Sequence, residues 1–284
     1  MELKKDLRMP DRDSDITKFS FFTYRKLKKT LGEFDAVVEC NEIAIREFLV
    51  QAEKEDVNKY IEQLSLKHKV KVNEVDFLKF TSRIRQYYVS SVFQQAEQFL
   101  KDFKNEWVKY YPKAEWSDLK KGETKFENTI RNIKLVLPSD LIEMYEYYRI
   151  IRNYMSHTDR DKEELKRRLM RIEKNSNTFL KDFHLSGIPN KLEDIDFNDF
   201  LILTNIVKHV AYEFSTKSKP DNKRIAEILL ELSKENKSFK GLKKLKNDNG
   251  RYDKAIRSFI TSNFGRFSSK DLEDTSNELK RLLA

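Results

Sequence analysis

Along most of the chain, apolar residues recur at intervals of three, four and five, the spacing that puts them on one side of a helix. Ser14 and Asp15 offer an N-cap for a first helix over about Ile16 to Leu31. A second helix is expected over Asp35 to Leu66, with Val38, Ile43, Ile45, Phe48, Leu49 and Ala52 on its apolar side. Lys67-His68-Lys69 breaks that pattern. A long helix follows over roughly Asn73 to Tyr110, carrying Phe77, Ile84, Tyr88, Phe93, Ala96, Leu100, Phe103 and Trp107. Pro112 to Gly122 reads as a loop, and Phe126, Ile130 and Ile133 as a short helix before Pro138. Ser139 and Asp140 then cap a helix through Leu141, Met144, Tyr145, Tyr148, Ile151 and Met155. Thr158 and Asp159 offer the cap of a basic helix over about Lys162 to Lys174. A loop with Gly187 and Pro189 leads to an apolar helix over about Phe197 to Phe214. After Lys217-Ser218-Lys219-Pro220 the pattern becomes short helices between Lys-rich turns, and no internal repeat is visible.

The prediction is an all-α protein. Only 6 Gly and 5 Pro occur in 284 residues, too few for the tight turns of an all-β or doubly wound α/β fold. Segments 1–70, 71–219 and 220–284 read in turn as an N-terminal helical extension, a central helical bundle and a basic C-terminal helical segment. Charge then narrows the partners. Lys and Arg number 56 against 47 Asp and Glu, a net +9, which suits a helical protein that meets a polyanion. Cys40 is the only cysteine, so no disulfide forms within the chain and nothing points to an oxidising compartment. The charged stretch up to Asp15 is unlike a secretory signal. No stretch reaches the roughly 18 apolar residues that a membrane span needs. The expectation is a cytoplasmic protein with no membrane partner.

Candidate chemistry concentrates in Tyr147-Tyr148-Arg149-Ile150-Ile151-Arg152-Asn153-Tyr154-Met155-Ser156-His157. It holds an Arg, a polar Asn, three more residues and a His, at the end of an apolar helix that follows a long aromatic-rich one. This element resembles the R-x4-6-H signature of the HEPN superfamily. The resemblance covers roughly residues 72–217, and within it Arg152-Asn153-x3-His157 is the specific part. It implies a HEPN-like antiparallel helical bundle, with the helix from Phe197 closing it and further helices added at both ends. It also implies a metal-independent endoribonuclease, with catalytic residues Arg152, His157 and Asn153. His157 would act as general acid or base, Arg152 would neutralise phosphate charge, and Asn153 would orient its neighbours. The same resemblance implies a homodimer, a role as toxin or anti-phage abortive-infection effector, and an antitoxin or regulatory partner. One geometric condition attaches to it. Residues five apart on an unbroken helix point about 140° away from each other, so Arg152 and His157 converge only where the helix ends or bends near Ser156.

Around that element, Arg149 stands one helical turn before Arg152 as a second phosphate contact. Arg83 and Arg85, beside Tyr87 and Tyr88, and Lys166 and Arg167, in a basic run with Arg168 and Arg171, are further RNA-binding candidates. Lys240, Lys243, Lys244 and Lys246 form a second basic cluster. Each of these also fits a solvated helix face, and a lone Arg and His at a helix end also fit a C-cap and a surface charge. The competing function is a non-catalytic helical module that binds RNA or a protein. His68, His184 and His209 lack ligand-spaced partners, so no metal site is expected. There is no Gly-rich phosphate loop and no Gly-flanked Ser elbow, so nucleotide hydrolysis and serine hydrolase chemistry are not expected, and no cofactor is assigned.

Overall fold

A computed structural model describes residues 18–54, 56–72, 76–156, 162–175, 185, 187–235, 245 and 248–283. Among them are ten α-helices: α1 (Phe22–Ala52), α2 (Val57–His68), α3 (Phe77–Tyr110), α4 (Lys125–Ile133), α5 (Ser139–Ser156), α6 (Lys162–Lys174), α7 (Phe197–Lys217), α8 (Asn222–Glu235), α9 (Asn249–Phe264) and α10 (Ser269–Leu283). A 3₁₀ turn covers Leu192–Asp194, and a single antiparallel pair joins two-residue strands β1 (Lys18–Phe19) and β2 (Gly265–Arg266). The protein is all-α.

Helix boundaries in the first 70 residues differ from the sequence reading. The proposed Ser14 and Asp15 cap lies outside the described residues, and where a helix from Ile16 was expected, Lys18–Phe19 pair as β1 and α1 starts at Phe22. A break was expected around Gly32, yet α1 continues through it to Ala52. A lone Gly costs a helix roughly 1 kcal/mol, and tertiary contacts outweigh that. Leu31 is fully buried, the Phe34 ring meets Phe200 at 6.0 Å, and Lys208 donates to Asp35 at 2.8 Å. The break falls instead before α2, where the Asp56 carboxylate accepts from the Lys59 N–H at 3.1 Å as N-cap. The break at Lys67-His68-Lys69 is where the pattern placed it, with Lys69 in the left-handed region at φ 56° closing α2.

The chain packs as two compact units that interleave its segments, a different partition from the sequential division at residues 70 and 219. One unit takes residues up to 26, 97–136 and 210–284, and the other takes 27–96 and 137–209.

The first unit has an aromatic core. Phe103 lies 5.1 Å from Phe21, 5.6 Å from Phe99 and 5.5 Å from Phe214, ring centre to ring centre. Phe19 stacks on Phe264 at 5.3 Å. Four successive backbone donors at the entry to α1 are taken up. Ser20 N–H reaches the Phe264 carbonyl, Phe21 N–H reaches the Ser215 hydroxyl, and the N–H groups of Phe22 and Thr23 each donate to Glu106 at 2.8 Å. A carboxylate there satisfies orphan donors and meets the positive end of the helix dipole. From α4, the buried Asn128 holds the irregular stretch after α3: it accepts from the Trp116 indole at 3.1 Å and donates to the Ser117 and Asp118 carbonyls at 3.2 and 3.1 Å. Thr124 and Glu127 form a reciprocal capping box that starts α4.

The second unit, which holds α2, α5 and α6, is built around Tyr88, Val89, Val92 and Phe93 of α3, Met144, Tyr145, Tyr148 and Ile151 of α5, and Phe200, Leu203 and Ile206 of α7, all buried. Its ion pairs include one with a buried acid: Glu42 on α1 accepts from Arg85 at 2.7 Å and from Arg46 at 2.9 Å.

Candidate functional site

Helix α5 carries the Arg-Asn-x3-His element, and a buried polar hub anchors it. The first helical hydrogen bond of α5 runs from Ile142 N–H to the Pro138 carbonyl. Two turns later the fully buried Tyr148 hydroxyl donates to Asp199 at 2.9 Å. The same Asp199 carboxylate, itself 0% exposed, accepts from the Asn190 backbone at 2.9 Å, the Asn190 side chain at 2.9 Å and the Asp196 N–H at 3.0 Å. Asp196 in turn caps α7 by accepting from Asn198 and Asp199 N–H. Burial pushes the Asp199 carboxyl upward from its ordinary range, while the Asp196 and Asn190 donors and the Tyr148 hydroxyl pull it down. Burial is also the first cause that raises the hydroxyls of Tyr147 and Tyr148, with the Asp199 charge next. Both tyrosines therefore act as neutral donors, Tyr147 to the Asn190 carbonyl at 2.6 Å.

Along α5, Arg149 donates to the buried Glu146 at 2.6 Å. One turn further, the Arg152 guanidinium donates to the Asn153 side-chain oxygen at 3.1 Å, with both residues half-buried. Arg149, Arg152 and Asn153 thus share the C-terminal half of one helix. Helix α6 does not prolong α5 but returns along it. Glu143 near the start of α5 pairs with Arg168 at 2.8 Å and Arg171 at 3.3 Å, toward the end of α6. At the opposite ends, the Lys162 ammonium sits 5.6 Å from the centre of the Tyr154 ring. His157, like the Thr158 and Asp159 cap residues, lies outside the described residues.

The remaining candidates separate by face. Arg85 is committed to Glu42. Arg83 is exposed and donates to Gln86 at 3.4 Å. Gln86 and Ser82 donate to the Leu192 and Glu193 carbonyls, which fixes the 3₁₀ turn against α3. In the basic run, Arg167 pairs with Glu164 at 2.9 Å within its own helix, while Arg168 and Arg171 turn to Glu143. Lys166 faces elsewhere. It lines a cleft of about 300 Å³ with Lys162, Glu163, Leu165, Leu169, Tyr147 and the 191–193 segment. The Lys240 to Lys246 cluster and His184 fall outside the described residues.

Sequence reasoning missed Asp199 and Lys191. Asp196-Phe197-Asn198-Asp199 has the form of a local capping pattern, which was the available signal for the first; nothing local marks the second. Among the described residues no group of three or more His, Cys, Asp or Glu is placed to hold a metal ion, and no helix is long and apolar enough to cross a membrane. Compared with family models, curated proteins and solved structures, the chain matches none.

Proposed function

We propose that the protein is a metal-independent endoribonuclease of the HEPN type. The observation that carries this reading is the Arg152–Asn153 hydrogen bond in the last turns of α5, on a helix that Tyr148 and Asp199 hold in place. The 2′-hydroxyl of RNA attacks the adjacent phosphorus, its proton passes to a base, and the leaving 5′-oxygen takes a proton from an acid. His157 fills one of these roles. Arg152 meets the charge that builds on the phosphate oxygens, and Asn153 holds its guanidinium. A homodimer would bring two copies of the element together and supply both acid and base. The role that goes with this chemistry is a cytoplasmic toxin or anti-phage effector acting on cellular RNA, restrained by an antitoxin or other regulatory partner.

One set of observations favours the competing function, a non-catalytic helical module that binds RNA or protein. Arg85 and Arg149 are spent on the buried acids Glu42 and Glu146, so they brace the bundle rather than stand open to phosphate. A paired experiment separates the two. The parent, Arg152→Ala and His157→Ala are incubated with mixed cellular RNA and a chelator, with helicity checked by circular dichroism. The nuclease reading expects cutting by the parent and a fall of about 10²–10⁴-fold in each variant. Cutting that survives both changes sinks the assigned site, and cutting abolished by the chelator in the parent sinks the metal-independent mechanism.

A further inference from the structure

The cleft beside α6 has two chemically distinct parts. Its floor is apolar: Leu165, Leu169 and Leu192, together with Tyr147, whose hydroxyl is already committed to the Asn190 carbonyl. Its rim carries Lys162, Lys166 and Lys191 against Glu163 and Glu193. Three lysines set against two glutamates suit one phosphate better than a long polyanionic stretch. The volume of about 300 Å³ lies at the small end of the roughly 300–1,000 Å³ range of small-ligand sites. Such a cleft is too small for a duplex. The rim also adjoins the Arg-Asn-x3-His element, because Lys162 stands over Tyr154, which lies between Arg152 and His157 in the chain.

We infer that this cleft holds one nucleotide of a single RNA strand, with the base on the leucine floor and the phosphate at the lysine rim. Unpaired RNA is held in this way where bases leave the stack for apolar and aromatic surfaces while cations follow the backbone. The choice of RNA as the strand rests on the endoribonuclease reading. The cleft would place a nucleotide beside the bond to be cut and so influence where cutting falls. Lys191 reaches the rim from the segment that Asn190 and Asp199 fix in place, so the rim is set by the same hub that anchors α5.

The test uses the full-length protein and a fluorescently labelled 2′-O-methyl oligoribonucleotide, which lacks the attacking hydroxyl and is not cut. Binding is read by anisotropy across a salt series. Lys166→Glu and Lys191→Glu are each expected to weaken binding about tenfold and to lower the slope of log affinity against log salt by about 0.7. Lys254→Glu, an exposed lysine on α9, is the charge-matched control and is expected to stay within about twofold of the parent. An abasic oligomer of equal length is expected to bind about tenfold more weakly than the complete one. The inference is overturned if the parent does not bind, if the two cleft variants behave like the control, or if the abasic oligomer binds as well as the complete one. Cutting is scored separately. His157→Ala that still cuts removes the nuclease site and leaves a demonstrated binding cleft standing, while cleft variants that bind like the control remove the cleft and leave the nuclease site standing.

Discussion

Two irregular segments, 112–124 in one unit and 187–196 in the other, each rest on a buried polar side chain that gathers several bonds, Asn128 for the first and Asp199 for the second, and the two pins differ in kind. Asn128 is a neutral amide. Its oxygen takes the Trp116 indole N–H and its nitrogen serves the carbonyls of Ser117 and Asp118. Asp199 gathers only donors: two backbone N–H groups, the Asn190 amide and the Tyr148 hydroxyl. An amide can satisfy a loop that presents carbonyls; a carboxylate satisfies one that presents N–H groups, and charge makes each of its bonds stronger. The difference also sets what fails when the pin is lost. Removing Asn128 takes the acceptor from the Trp116 indole, while the Ser117 and Asp118 carbonyls keep Asn132 and Arg131 as donors. Removing Asp199 strands the fully buried Tyr148 hydroxyl and releases the helix that carries Arg152.

Asp199→Ala is expected to destabilise the protein by about 3–5 kcal/mol, because the buried Tyr148 hydroxyl and three partly buried donors lose their acceptor together. Urea unfolding read by circular dichroism measures it. Asn128→Ala is expected to cost about 1–3 kcal/mol in the same assay, and equal losses in the two variants would end the distinction between charged and neutral pins. The smallest effect concerns Glu123, which joins the Asn128 network at 3.2 Å. Hydrogen bonds from the Arg131 guanidinium and the Lys120 backbone lower its carboxyl from 4.5 to about 2. A depressed acid contributes stability that is complete above its unfolded value and lost as pH falls through the folded one. The stability gap between the parent and Glu123→Gln should therefore be present near neutral pH and shrink as pH drops from about 4.5 towards 2. A gap that widens on acidification contradicts this assignment.

Much of this architecture was legible because a buried helix face is a local pattern. Tyr88, Phe93, Ala96, Leu100, Phe103 and Trp107 are all buried on α3, as their spacing implied. What escaped depends on partners far off in the chain. The continuity of α1 past Gly32 rests partly on Lys208, 173 residues away. The fate of Arg85 was set by Glu42 on another helix, and Lys191 joins Lys162 and Lys166 only through the fold. Of the candidate site, Arg149, Arg152 and Asn153 were found from the sequence element. The hub beneath them was not, since Tyr148, Asn190 and Asp199 meet only when α5 and α7 pack.

The pairing of β1 with β2 bears on how the protein is made. Phe19 and Phe21 finish their packing only against partners such as Phe264 and Ser215, and Ser20 N–H waits for a carbonyl 244 residues later. At about 5–20 residues per second on the ribosome, that delay is on the order of ten to fifty seconds. Throughout it Phe19 lacks its Phe264 cover and Phe21 has only the part that Phe103 and Tyr110 supply, so residues 18–23 stay incompletely covered until the chain is nearly finished.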